Sequence, residues 1–219
     1  MTTDILHDRP LEAIELFVGA GGLCLGFSEH NIEHKALVEW NKNACDTIRF
    51  NKNKGVEPVV KWADVTEGEV RDIDITSYRG IDLVSGGPPC QPFSMGGKHN
   101  GFLDKRDMFP QAIRAVREAR PRAFVFENVR GLARPMFYNY FSYILLQFEF
   151  PSLIAKPREG WLPHRERLEK HKTKGGKSEY HIVARLVNAA DYGVPQKRAR
   201  VIIVGFRADV HQSWTFPNE

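Results

Sequence analysis

Seven short apolar runs punctuate the 219 residues: Ala13 to Val18, Ala36 to Trp40, Val59 to Val65, Ile81 to Ser85, Ala123 to Glu127, Tyr180 to Val187 and Val201 to Phe206. Each reads as a strand, and several are apolar enough to be buried on both faces. Helices fit between most of them. Asn41 to Asn51 opens on a capping asparagine, Met108 to Arg120 stops before Pro121, and Phe137 to Phe148 is strongly aromatic. Alternation of strand and helix predicts an α/β chain, with an open, mostly parallel sheet and helices on both faces. In such sheets ligands bind beyond the carboxyl ends of the strands.

Those ends are chemically loaded. The first strand runs into Gly19-Ala20-Gly21-Gly22, the second ends at Glu39-Trp40, the third at Asp64, the fourth at Gly86-Gly87-Pro88-Pro89-Cys90 and the fifth at Glu127-Asn128. A glycine turn between strand and helix lets backbone approach a ligand, and an acid 20 residues after Gly19 is placed to accept from ribose hydroxyls. NAD and S-adenosylmethionine both fit that much. The dinucleotide spacing Gly-x-Gly-x-x-Gly is absent, which disfavours a pyrophosphate. Trp40 can stack on a purine, and Asp64 can accept from an adenine amino group, so adenosine without phosphates is the better ligand. An NAD oxidoreductase would also leave Cys90 without a role.

Cys24, Cys45 and Cys90 are the only cysteines, an odd number without close zinc-ligand spacing, so neither disulfides nor structural zinc is expected. Cys24 and Cys45 lie on helical segments and read as structural. Cys90 differs, because prolines fix it at the ligand end of the sheet, ahead of the polar, glycine-rich segment Ser94 to Gly101.

These residues resemble the DNA cytosine-5 methyltransferase family. The matching segments are ELFVGAGG at 15 to 22, GPPCQPFS at 87 to 94, GFLDKRDMF at 101 to 109, FENV at 126 to 129 and NAADYGVPQKRAR at 188 to 200. The resemblance implies a Rossmann-like methyltransferase fold and transfer of a methyl group from S-adenosylmethionine to C5 of cytosine in a specific sequence of double-stranded DNA. Cytosine C5 is a poor nucleophile until a thiolate adds to C6, a role the resemblance gives to Cys90. It assigns Glu127 a hydrogen bond to N3, and Arg200 and Arg198 contacts to O2 or a nearby phosphate. Asn128 would orient the neighbouring turn. Cofactor contacts fall on Phe17, Gly19, Gly21, Gly22, Leu23, Glu39, Trp40, Asp64 and Pro88. Base flipping is implied, with Gln91, Ser94, Lys98 and Arg106 against DNA. The chemistry requires no metal.

Family enzymes of this type continue into a target-recognition domain and a closing helix. The sequence is therefore expected to be a catalytic domain over 1–219, incomplete at its C-terminal side. It would be either a fragment or one subunit of a split bacterial restriction-modification enzyme, whose second polypeptide supplies the rest. An exposed apolar seam is the corollary. The same catalytic motifs serve RNA cytosine methylation, and a truncated, non-catalytic module for holding DNA or a partner is the other alternative.

Charge is localised. Residues 156–177 hold eight Lys/Arg and three Glu, a local +5 in a chain of net +4, leaving −1 for the remainder. This stretch reads as a basic insertion of about 153–178, slightly favoured as a phosphate contact over a partner contact or plain solvation. His164 and His171 within it are expected at the surface. No run of about 18 apolar residues and no signal-peptide pattern occurs, so a cytoplasmic protein without membrane contact is expected.

Overall fold

The computed structural model describes residues 9–89, 107–210 and 213–218. Strands β1 (Leu11–Leu16), β2 (Ile32–Glu39), β3 (Val65–Glu67), β4 (Leu83–Gly86), β5 (Ala123–Val129), β6 (Tyr180–Asn188) and β7 (Ala199–Arg207) form one sheet in the order β3-β2-β1-β4-β5-β7-β6. All neighbours are parallel except at β7, which runs antiparallel to both β5 and β6. The chain leaves β1 toward β2 on one side and returns to β4 on the other. The crevice between the ends of β1 and β4 is thus the topological switch point where such sheets bind ligands.

That crevice depends on one backbone contact. Leu16 and Gly86 are register partners at the ends of β1 and β4, and a Cβ on Gly86 would stand 2.1 Å from the Leu16 carbonyl oxygen. Only glycine lets the strands lie this close as the chain turns away.

Two apolar clusters flank the sheet. Helices α3 (Phe109–Ala119), α4 (Tyr138–Glu149) and α5 (Trp161–Thr173) cover one face, where Ile14, Leu16, Val84, Phe124, Phe126, Val201 and Ile203 are buried. The short α1 (Gly22–Ser28) and α2 (Lys42–Asn53) cover the other face, around Leu37, Cys45, Ile48 and Trp62. Asn41 caps α2 by accepting from the Ala44 amide. Over β5, β7 and β6 this second face carries half-buried Val125, Ile202 and Val183, while the Trp214 ring packs at a tilt against Phe206 and edge-on against Phe216, over which the Arg185 guanidinium lies. Among the described residues, no helix is long and apolar enough to cross a membrane.

The third expected strand is corrected. Residues Val59–Lys61 form a 3-10 turn, and β3 is confined to Val65–Glu67. Val59 and Trp62, three apart, are the buried pair, which is the period of a 3-10 turn and not of a strand. Asp64 therefore precedes β3 instead of ending it, and Glu67 stands beside Glu39 at the carboxyl edge.

Helix α5 lies inside the stretch read as a basic insertion. It runs alongside α4 in the same direction: Trp161 packs on Tyr140 and Tyr143, and Lys172 reaches Glu149. His164 is not at the surface but 1% exposed. Its Nε2 donates to the Leu153 carbonyl at 2.6 Å, which leaves Nδ1 to accept from the Tyr143 hydroxyl at 2.8 Å. These two bonds make burial of a polar ring affordable. Lys170 to Lys177 lead into Tyr180, the register partner of Arg207, whose neighbour Phe206 pairs with Ala123 at the start of β5. The basic tail thus sits at the edge of the sheet opposite Glu127, a placement that weighs against its touching phosphate at the site.

Burial depresses His164 below its ordinary value of 6.5, and Tyr143 is pushed up to about 12 by burial and by Glu159. A depressed histidine binds protons more readily when unfolded. The stability it confers is complete above pH 6.5 and is lost as pH falls toward the folded value, with a slope of up to about 1.4 kcal/mol per pH unit. Urea denaturation between pH 7.5 and 5 should show this decline, and His164→Gln should flatten it.

Candidate active site

Glu39 organises the first half of the site. Its carboxylate is buried, Oε2 accepts from the Gly19 amide at 2.8 Å, and Oε1 accepts from the Asn41 amide at 2.8 Å. The carboxylate therefore clamps the glycine turn to the end of β2. Gly21 turns the chain into α1 with φ 93°, and a Cβ there would meet the Trp62 ring at 2.6 Å. Phe17 also adopts a left-handed backbone at φ 57°, and Gly22 and Leu23 open α1. Trp40 follows Glu39 with its side chain 65% exposed, leaving a ring face free for stacking.

Asp64 is not drawn into this group. Its side chain is 94% exposed and accepts from Lys52 at 2.7 Å, which holds the carboxyl below its usual range. The acid the turn does bring level with Glu39 is Glu67, paired with Arg49 at 2.6 Å. The signal that would have found it is the three-residue spacing of Val59 and Trp62, which moves the strand later in the sequence.

The second half lies at the ends of β4, β5 and β7. Glu127 Oε1 accepts from Arg200 Nε at 2.8 Å and stands 3.4 Å from an Arg198 guanidinium nitrogen. Antiparallel register explains the meeting, since Glu127 opposes Ile202 and Val129 opposes Arg200, making Glu127 and Arg200 diagonal neighbours on one face. Asn188 supports the segment leading to β7 by accepting from the Arg198 amide at 3.0 Å.

Asn128 is buried and donates from Nδ2 to the Pro88 carbonyl at 2.8 Å. The turn after β4 is thereby tied to the end of β5. Gly87 lies beside the Glu127 carboxylate, since a Cβ there would be 3.8 Å from Oε2. One residue after Pro88, the Pro89 carbonyl accepts from the Met108 amide at 3.1 Å. Asp107, buried beside it, accepts from the Phe109 amide at 3.1 Å and from the Tyr140 hydroxyl, which pins the start of α3. Asp107 was not foreseen; its spacing two residues before the start of the helix is the signal.

Cys90, Gln91, Ser94, Lys98 and Arg106 lie outside the described residues. The described flanks nevertheless bring Pro88, Glu127, Arg198 and Arg200 together on one side of the switch point, and Phe17, Gly19, Gly21, Gly22, Leu23, Glu39 and Trp40 together on the other. Removing the Pro88 tether exposes its worth: Asn128→Ala should lower stability by about 1–3 kcal/mol in chemical denaturation, because it strands a buried carbonyl.

The pattern that defines C-5 cytosine-specific DNA methylases matches residues 11–151 and 162–219. The chain is 38% identical to the type II methyltransferase M.NgoMIV of Neisseria gonorrhoeae over 94% of its length and 55% of that protein's. It is 34% identical to the type II methyltransferase M.AquIA of Picosynechococcus sp., over 93% of this chain and 74% of that one. It spans 43% of the type II methyltransferase M.NaeI of Lentzea aerocolonigenes, at 32% identity over 95% of its own length. Among solved structures, a putative DNA modification methyltransferase from an Escherichia coli prophage superposes with a TM-score of 0.61 at 24% identity, covering 94% of this chain and 49% of that one. The Dnmt2 methyltransferase of S. pombe gives 0.55 at 16% identity, covering 93% of this chain and 53% of that one, which again is a likeness of fold. With the defining pattern covering most of its length, the chain belongs to the C-5 cytosine-specific DNA methylases.

Proposed function

We propose that the protein transfers a methyl group from S-adenosylmethionine to C5 of cytosine within a specific double-stranded DNA sequence, with residues 1–219 serving as one catalytic domain. The observation that carries this is the Glu127, Arg198 and Arg200 cluster, joined through Asn128 and Pro88 to the turn that leads to Cys90. The family pattern and the type II methyltransferases similar to this chain support the same reading.

The residues on the other side of the switch point fit S-adenosylmethionine. Each Glu39 oxygen accepts one backbone amide and keeps a second lone pair for a ribose hydroxyl. Trp40 offers an open ring face to adenine, and the turn lacks the spacing a pyrophosphate needs. Phe17, Gly19, Gly21, Gly22 and Leu23, with Pro88 from the turn after β4, complete the set that would hold it, and Asp64, paired with Lys52 in solvent, stands outside it. When bound, it supplies an electrophilic methyl group.

Cys90, as thiolate, forms a bond to C6 of cytosine, and the displaced electron pair makes C5 nucleophilic. Glu127, as the carboxylic acid, donates a hydrogen bond at N3, while Arg200 and Arg198 neutralise charge at O2 or at a flanking phosphate. After C5 is methylated, loss of its proton expels the Cys90 thiolate and restores the aromatic ring. A stacked base cannot reach such a pocket, so the cytosine is extruded, with Gln91, Ser94, Lys98 and Arg106 against the DNA. The setting is the bacterial cytoplasm, where the chromosome is the acceptor.

A 5-fluorocytosine duplex library tests this, because fluorine at C5 blocks proton loss and traps the protein on DNA. Incubation with S-adenosylmethionine should yield a denaturant-resistant adduct, and Cys90→Ala should yield none. An adduct that survives Cys90→Ala overturns the nucleophile, and labelled methyl appearing in transfer RNA but not DNA overturns the acceptor. Trp40→Ala should weaken cofactor binding by the equivalent of about 1–3 kcal/mol, roughly 5- to 150-fold, in calorimetric titration.

A further inference from the structure

Beneath the glycine turn, three elements bring together side chains for which methyl transfer has no use. Glu15 on β1, Cys24 on α1 and His34 on β2 are 1%, 0% and 2% exposed, and their donor atoms all lie within 4.8 Å of one another. The sheet is built to make them meet. Register shifts between Ala13 paired with His34 and Ile14 paired with Ala36, so Lys35 is an extra residue on β2. Bulges are rare in parallel pairs and re-aim side chains. Here the bulge puts His34 on the face of its partner Ala13, which is also the face of Glu15, under the helix that carries Cys24.

The cluster is polar and incompletely satisfied. Glu15 Oε2 accepts from Ser85 Oγ at 3.1 Å, whereas Glu15 Oε1 and both ring nitrogens of His34 have no hydrogen-bond partner. His34 Nε2 stands 3.6 Å from Glu15 Oε2, beyond hydrogen-bond range. Buried lone pairs without partners are rare and call for an occupant.

We infer that Glu15, Cys24 and His34 are the ligands of one divalent metal ion, zinc by donor set, which ties β1, α1 and β2 together beneath the glycine turn. A sulfur, an imidazole nitrogen and a carboxylate oxygen are the donors zinc takes, and a water or hydroxyl completes a tetrahedron. Charge also balances, since a Cys24 thiolate and the Glu15 carboxylate together cancel the dication. Without the ion, burial and then the neighbouring Glu15 push the Cys24 thiol up, so binding releases its proton to solvent. Ser85 serves as the outer partner that orients Glu15. His34 also lines a cavity of about 460 Å3 with Ser28, Asn31, Glu33, Lys61 and Trp62.

The ion's role is structural. Glu15 lies two residues before Phe17, Cys24 two residues after Gly22, and His34 five residues before Glu39, so the ion would fix both sides of the turn without touching a reacting atom. The inference stands independently of methyl transfer.

Cobalt(II) added to chelator-stripped protein is the direct test. One equivalent should produce a thiolate-to-cobalt charge-transfer band, one equivalent of zinc should abolish it, and zinc should raise the thermal midpoint. Cys24→Ser should lose the band, while Cys45→Ser and Cys90→Ala keep it. His34→Gln should weaken zinc binding by more than the roughly 100-fold typical of losing an outer partner. Folding of each variant is followed by circular dichroism, and the wild-type stoichiometry decides the matter even where a variant fails to fold. Absence of stoichiometric binding by wild-type protein, or a band that survives Cys24→Ser, overturns the inference.

Discussion

The contact between Leu16 and Gly86 is the constraint on which the rest of the molecule depends. Here the chain departs from the centre of the sheet in both directions, and without a side chain on Gly86 the two strand ends lie against each other. The turn after β1 and the turn after β4 consequently share one crevice. Each is then held by a buried polar side chain from the next strand out: Glu39 grips the first through Gly19, and Asn128 grips the second through Pro88. The site is thus assembled from the centre of the sheet outward, with backbone as the object of both grips.

Reversal of β7 supplies what parallel strands cannot. A parallel strand next to β5 would begin at the opposite edge and carry its first residues away from Glu127. An antiparallel strand begins at the ligand edge, so the arginines at its start arrive beside the carboxylate, and the diagonal register sets Arg200 on Glu127.

Most of the sheet was legible because buried strands must be apolar, and their ends stood out as abrupt changes to glycine, proline and acid. Legibility failed where a short run obeyed a different period. Val59 to Val65 is apolar like a strand, but burial at Val59 and Trp62 makes it a turn, and that misplaced Asp64. Helix α5 was invisible because its charges mask a narrow buried stripe of His164 and Leu168. His164 itself read as surface since no sequence pattern reveals that Tyr143 and Leu153 will meet its two nitrogens. The pairing of Glu127 with Arg198 and Arg200 follows the resemblance in residue but needed the register for geometry. The Glu15, Cys24 and His34 cluster had no signal at all, because a single extra residue in β2 creates it.

The basic tail at the far edge has a kinetic consequence. A polyanion approaching from beyond the Debye length of about 8 Å responds to the charge distribution before it meets any particular side chain. With +5 gathered in residues 156–177 and −1 in the remainder, the pull of this chain is centred on a region whose tail sits at the sheet edge opposite Glu127. First encounters with such a partner are then biased toward that far edge. Moderate salt, which shortens the reach of that field, raises the fraction of collisions that begin at the Glu127 edge even as it lowers their total number.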